Sequence, residues 1–368
     1  MNNDAQTNAA GSADRAVADS VSGSTTSATG PASGGPTVAV GSAPGHTPVG
    51  STGDLYSLDS PCAHEALLAV THVYTDLDGT MLAPGGRLLT RHDTSPSVAC
   101  AQALVDLKRV GVEVIVVTGR SRAQGTEIMR LLDLDHFIGE LGCVEQKGFG
   151  QTAQISYNLG RWPQDWHSRF AAHGSNDCSV GNPDRITPYQ LIAQSGIVEL
   201  LESQFKGRLE KHNPFDGVRE VTQMMRGCVD VNEITSVLAN SDLPLQFYDN
   251  GIIHPAVHNL TECDQIHIYH LMPQGIDKGQ ALAADIERRG LKKLQTVAIG
   301  DAIGDVAMGR YTGSFVLTRA STDNALEVDA AKADAHIRPG FIAKGSTVDG
   351  WVEFARALLV AKGQQARW

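Results

Sequence analysis

Aromatic residues make up only 5% of the 368 positions, and the first 54 positions hold none. They hold no leucine either; Leu55 and Tyr56 are the first of each kind. Gly, Ser, Ala, Thr and Pro dominate that stretch, which cannot bury enough apolar area to offset its chain entropy. Residues 1–54 are therefore expected to be a disordered tail. No apolar run approaches the roughly 18 residues of a membrane span. Met1-Asn2-Asn3-Asp4 lacks the basic start and apolar core of a secretory signal. A soluble, cytoplasmic protein without a membrane partner is expected. Positive charge is also short, 30 Lys and Arg against 41 Asp and Glu, a net −11. That excludes the broad basic face of a general nucleic-acid binder. The six cysteines include no Cys-x-x-Cys pair, which argues against zinc. Each is expected to be an isolated, small packing thiol, as in a reducing compartment.

Past the tail, strand and helix patterns alternate. Ser60-Pro61 reads as the cap and first residue of a helix to about Leu68. The apolar run Val73-Tyr74-Thr75 ends in Asp76-Leu77-Asp78-Gly79-Thr80. Ser95-Pro96 is expected to cap a helix with Val98, Ala101, Leu104, Val105 and Leu107 on its apolar face, ended by Gly111. Val112 to Val117 is rich in β-branched residues, as in a strand buried on both faces of a parallel sheet. Thr118-Gly119-Arg120-Ser121 follows and opens a helix to about Leu132. From about Gly148 the rhythm breaks. A polar loop at 173–184, a helix from Pro188 to Phe205, a hairpin turn at Asp249-Asn250-Gly251 and a strand at Ile266–Tyr269 suit an antiparallel sheet with helices on one face. The first rhythm returns with Asp277 capping a helix from Lys278, the strand Thr296–Gly300 ending in Asp301, and Asp305 in the next helix. Edge strands at 315–317 and 335–337 and a last helix, Val348–Ala361, complete the chain. The fold class expected is α/β: a Rossmann-like parallel-sheet core, residues 55–149 and 271–368, interrupted by an inserted α+β cap at 150–270.

Residues two apart in an extended strand point the same way, so Asp76 and Asp78 face one point. Their mutual repulsion calls for a cation, a shared proton or full solvation, and Mg²⁺ is a hard ion that meets the need. Ligands bind outside the carboxyl ends of strands in open α/β sheets. Asp76, Asp78, Thr118 and Asp301 should thus converge on one site, within reach of Lys278. Taken singly, Thr118 is a helix cap, Lys278 a solvated lysine and Asp305 a first-turn carboxylate; in this order and together they are not coincidence.

The set resembles the four motifs of the haloacid dehalogenase superfamily of phosphohydrolases. These are Asp76-Leu77-Asp78-Gly79-Thr80, Thr118 with Gly119, Lys278 in Asp277-Lys278-Gly279, and Gly300-Asp301-Ala302-Ile303-Gly304-Asp305. The insertion between the second and third motifs resembles the branch with a large α/β cap, which holds Cof-like phosphatases, sucrose-phosphate phosphatase and mannosyl-phosphoglycerate phosphatase. The resemblance implies a Mg²⁺-dependent phosphatase acting on a small phosphorylated metabolite, a sugar phosphate or related polyol. It implies Asp76 as nucleophile, Asp78 as general acid and base, and Thr118, Gly119 and Lys278 on the phosphoryl group. The metal would be held by Asp76, Asp78, Asp301 and Asp305. Two alternatives share these residues: a phosphosugar mutase and a non-catalytic module that senses metal or phosphate. The chain departs from the pattern at Gly304, where relatives often have Asn, and at Leu141-Gly142-Cys143, where many have Asn-Gly-Ala. Arg120 either touches substrate or pairs with a core carboxylate. In the cap, Arg185, Lys211, His212, Arg226 and His254 are the candidates for substrate contact.

Overall fold

The computed structural model describes residues 54–166, 186–212, 218–319 and 325–366. The expected tail (Asp54 apart), the polar loop at 173–184 and Arg185 lie outside the described residues. In chain order the elements are β1 (Tyr56–Ser57), α1 (Pro61–Leu68), β2 (His72–Thr75), α2 (Ala99–Arg109), β3 (Glu113–Val117), α3 (Arg122–Leu132), β4 (His136–Gly139), β5 (Val144–Lys147) and β6 (Gln154–Tyr157). Then come α4 (Pro188–Gln194), α5 (Ile197–Gln204), β7 (Leu209–Lys211), β8 (Gln223–Gly227), α6 (Val231–Leu238), β9 (Leu245–Ile253) and β10 (Ile266–Pro273). The chain closes with α7 (Lys278–Arg288), β11 (Thr296–Gly300), α8 (Ile303–Gly309), β12 (Ser314–Arg319), α9 (Ala325–Ala333), β13 (Gly340–Ser346) and α10 (Val348–Ala361).

One sheet has the order β1-β13-β12-β11-β2-β3-β4-β5-β6. Its pairs are parallel from β1 to β4, and β5 and β6 add antiparallel at one edge. Alternate residues of its central strands are buried on opposite sides. Val73, Val114, Val116, Val297 and Ile299 pack with Leu67, Leu107, Trp351 and Phe354. Tyr74, Ile115, Val117 and Ala298 pack with Leu282, Val306 and Met308. Both faces are covered by helices, which is why β3 reads as a continuous apolar run. The second sheet, β7-β8-β10-β9, is antiparallel throughout and has its own apolar cluster with Ile192, Leu201 and Ile234.

Several expectations shift. The helix start expected at Ser95-Pro96 falls at Ala99, because Pro96 bridges Thr90 and the Ser95 N–H closes on Asp93. Its inward face is Cys100, Ala103, Leu104 and Leu107, with Val98 and Val105 exposed. The helix expected from Pro188 to Phe205 breaks at Gly196, which has φ +75°. Asp249-Asn250-Gly251 is no hairpin turn; β9 runs through it. His267 and Tyr269 pair with Ile252 and Asp249, so β9 carries one extra residue, a bulge, with Gly251 at φ +98°. The strand expected at 335–337 lies at β13 instead, and β12 is flanked by β11 and β13, not at an edge. β6 still belongs to the first sheet and β10 runs to Pro273, so the sheets divide after Tyr157 and Pro273, not at 149/150 and 270/271.

The cysteine expectation is also corrected. Cys228 and Cys263 form a disulfide with Cα atoms 5.5 Å apart, while Cys62, Cys100 and Cys143 are free. The two partners are 35 residues apart in sequence but flank neighbouring strands, which spacing alone cannot reveal. Among the described residues no helix is long and apolar enough to cross a membrane.

Candidate active site

β2 is flanked by β11 and β3, and chain connections leave it in both directions, so a crevice opens at its carboxyl end. The pairing of β2 with β11 continues one residue past the strand, where Asp76 N–H donates to Ile299 O at 2.9 Å. That bond sets Asp76 beside the residues that follow β11. Gly79, at φ +89°, lets the chain turn back at once, and a Cβ there would stand 2.5 Å from Asp301 Oδ2. Thr80 Oγ1 donates to Asp301 Oδ1 at 2.5 Å. Asp305, in the first turn of α8, accepts the N–H groups of Asp301 and Ala302 on Oδ2 at 3.1 and 3.0 Å. Lys278, first residue of α7 behind the Asp277 cap, donates to Asp76 Oδ1 at 2.6 Å and Asp305 Oδ1 at 2.7 Å. One carboxylate oxygen each from Asp76, Asp301 and Asp305 lies within 4.8 Å of the others.

Three carboxylates and one ammonium are thus gathered in a nearly dry place. Burial, then the repulsion of Asp305, pushes Asp301 up to about 7. Burial also holds Asp76 well above the usual carboxylate range against the pull of Lys278, and Asp305 and Asp301 add to the rise. Burial opposes the charge on Lys278, but Asp305 and Asp76 outweigh it and raise its pKa. Such a set of hard oxygen donors with excess negative charge fits a divalent cation.

Thr118 follows β3 and is buried, its N–H given to Ile138 O and its hydroxyl accepting Arg120 N–H at 3.3 Å. The helix beyond it starts later than expected, at Arg122, capped by Ser121. Asp78 is about half exposed and stands outside the carboxylate group; Arg120 Nε and Nη2 donate to its two oxygens at 2.7 and 2.6 Å. Arg120 therefore takes the carboxylate-pairing option. Of the cap candidates, Lys211 turns to the Tyr189 ring, 6.0 Å away, on the helix side of its sheet, and His254 is exposed. Arg226 pairs with Glu210 at 2.6 Å. His212 continues a row of cap residues through Met224, His270 and Tyr248.

A family model for haloacid dehalogenase-like hydrolases matches residues 218–331. A phosphoglycolate phosphatase of Methanospirillum hungatei is 25% identical over 244 residues, 66% of this chain and 81% of the relative. One of Methanoculleus marisnigri is 25% identical over 248 residues, covering 67% and 82%. A solved Thermoplasma acidophilum protein, 0175, shares the fold with a TM-score of 0.51 at 14% identity, over 78% of this chain and 98% of that one. Over residues 218–331 the chain is thus similar to the haloacid dehalogenase-like hydrolases.

Glu140, Arg219, Tyr248, Asn250 and His270 lie outside the four motifs. One signal was available: Glu140 follows the apolar run of β4 as Asp76 follows that of β2. The carboxylate of Glu140 is fully buried and accepts the N–H groups of Glu220, Val221 and Thr222 at 2.8, 3.1 and 2.8 Å. Leu141, beside it, adopts φ +59°.

Proposed function

We propose that this hydrolase is a Mg²⁺-dependent phosphatase that cleaves a small phosphorylated metabolite through an aspartyl-phosphate on Asp76. The observation that supports it most is the meeting of Asp76, Asp301 and Asp305 around Lys278 at the carboxyl ends of β2 and β11. The Asp76, Asp301 and Asp305 carboxylates and the Asp78 carbonyl are the groups that would hold the ion. When bound, the cation would offset the repulsion between a phosphate dianion and a carboxylate nucleophile.

Asp76 attacks phosphorus; its O–P bond forms as the bond to the leaving oxygen breaks. Asp78, on releasing one oxygen from Arg120 and taking up a proton, protonates the leaving oxygen and then takes a proton from the water that opens the acyl phosphate. The Thr118 hydroxyl and the Gly119 N–H take phosphoryl oxygens, and the buried charge of Lys278 faces the negative charge that concentrates there. The cap excludes water above them. Both curated relatives carry the name phosphoglycolate phosphatase, so 2-phosphoglycolate joins sugar phosphates as a first substrate to assay. The test is inorganic phosphate release from a panel of phosphomonoesters with Mg²⁺ and with EDTA. Net phosphate separates this reading from a mutase. No release from any ester, with Mg²⁺ present, would end it.

A further inference from the structure

His270 sits in the middle of β10, opposite Met224 of β8 and Tyr248 of β9. Its neighbours Tyr269 and Leu271, with Phe247 and Met225, fill the apolar cluster beneath the cap helices. Strand alternation turns His270 and Tyr248 to the other face. Three close approaches show what that face meets. The position a Cβ would take on Gly119 is 3.1 Å from Asn250 Nδ2 and 3.4 Å from His270 Nε2. The corresponding position on Gly304 is 1.9 Å from the Tyr248 hydroxyl. The tips of Tyr248, Asn250 and His270 therefore close over the phosphate loop and over the turn that carries Asp305.

The His270 ring is 1% exposed. Its hydrogen-bond contacts among the described residues are made through Nδ1, with Arg219 Nη2 and Thr222 Oγ1, each at 3.4 Å. Arginine can only donate, so Nδ1 accepts at the Arg219 contact and a neutral imidazole then carries its proton on Nε2; the Thr222 hydroxyl gives its one proton to Glu140 Oε2 and supplies none to Nδ1. Burial, then the charges of Arg219, Lys278 and His212, hold His270 well below the usual histidine range, so the ring is neutral. Arg219 is itself locked: Nε donates to Thr222 Oγ1 and Nη2 to Gly119 O, both at 2.8 Å. A guanidinium on Nδ1 draws electron density from the ring and strengthens the opposite N–H as a donor. The best match for such a donor is an anionic oxygen.

We propose that His270 selects the leaving group by donating its Nε2–H to a carboxylate on it, and that Arg219 is the positioning residue that fixes this tautomer. The substrate class is then phosphate esters of small hydroxy acids. The inference rests on the phosphatase reading above and deepens it. It predicts a ratio. 2-Phosphoglycolate and 2-hydroxyethyl phosphate differ only in carboxylate against hydroxymethyl. Wild type should favour the carboxylate ester in kcat/KM. His270→Phe should cut that preference about tenfold, the loss of one charge-assisted hydrogen bond, and His270→Gln should restore part of it. The ¹⁵N shifts of the His270 imidazole should report a protonated Nε2 and a bare Nδ1 at about neutral pH, and Arg219→Lys should mix the tautomers. An unchanged ratio overturns the proposal, whether both rates fall together (His270 then serves the phosphoryl group or the fold) or neither falls. So does a wild type that prefers the hydroxyethyl ester, or a proton found on Nδ1. If His270→Phe fails to fold, the ratio in His270→Gln and the wild-type tautomer decide. A wild type that releases phosphate from no ester refutes the phosphatase reading instead.

Discussion

Replacing Glu140 by Gln tests how the cap is held to the core. Oε1 of Glu140 accepts Glu220 N–H at 2.8 Å; Oε2 accepts Val221 N–H, Thr222 N–H and Thr222 Oγ1 at 3.1, 2.8 and 3.1 Å. Arg219 Nε stands 3.7 Å from Oε2, and both side chains are essentially fully buried. An amide keeps the shape but can place an oxygen on only one side, so its NH₂ faces at least one N–H donor. An unsatisfied buried donor costs about 1–3 kcal/mol. Removing one partner of a buried pair, which leaves Arg219 uncompensated, costs about 3–5 kcal/mol. The two overlap, so the expected loss is about 3–5 kcal/mol. At roughly 2 °C per kcal/mol for a chain of this size, Tm should drop about 6–10 °C. Scanning calorimetry reads the drop, and Thr222→Val, which removes only the hydroxyl contact, should show a smaller one. A fall of less than about 2 °C for Glu140→Gln would refute the reasoning and mean that the clamp adds little to holding the two sheets together.

Asp76→Asn should fold and bind phosphate esters but release no phosphate, since an amide is a poor nucleophile; release at the wild-type rate sinks the aspartyl-phosphate reading. Gly304→Asn needs the space of the Tyr248 hydroxyl and should cost about 1–3 kcal/mol in urea unfolding; Tyr248→Ala in the same chain should relieve it, and an additive double mutant speaks against the contact. Asp301 is raised in the folded state to about 7 from 3.8, so the native chain binds more protons than the unfolded one between those values. Metal-free stability should therefore fall as pH rises through that window, and Mg²⁺ should flatten the fall; a rise with pH contradicts the burial argument. Burial would raise Glu113 and Glu145, but His72 with Arg289, and His136 with Arg288, bring both down to about 2 from 4.5. Their contribution should be full above pH 4.5 and vanish as pH falls toward 2, seen as an acid unfolding limb that Glu113→Gln makes shallower.

The α/β core and the carboxylate group were legible in the chain itself. Each depends on a local rule: β-branched runs become buried strands, Gly79 permits the turn after Asp76, and Asp277 caps the helix that starts with Lys278. Strand ends in a parallel sheet share one edge, so Asp76 and the Asp301–Asp305 turn could be expected to meet near Lys278 without knowing the register. The cap was not legible in this way. Asp249-Asn250-Gly251 makes a bulge because β10 continues to pair on its far side, and the chain alone holds no record of that partner. Whether Lys211 or His212 faces the core turns on the parity of one short strand, and a shift of one residue exchanges the two faces. The Cys228–Cys263 bridge, the Glu140 clamp and the approach of Tyr248 to Gly304 all join residues that are neighbours only in space. Contacts of this kind are decided by packing between elements, and tertiary structure alone brings their partners together.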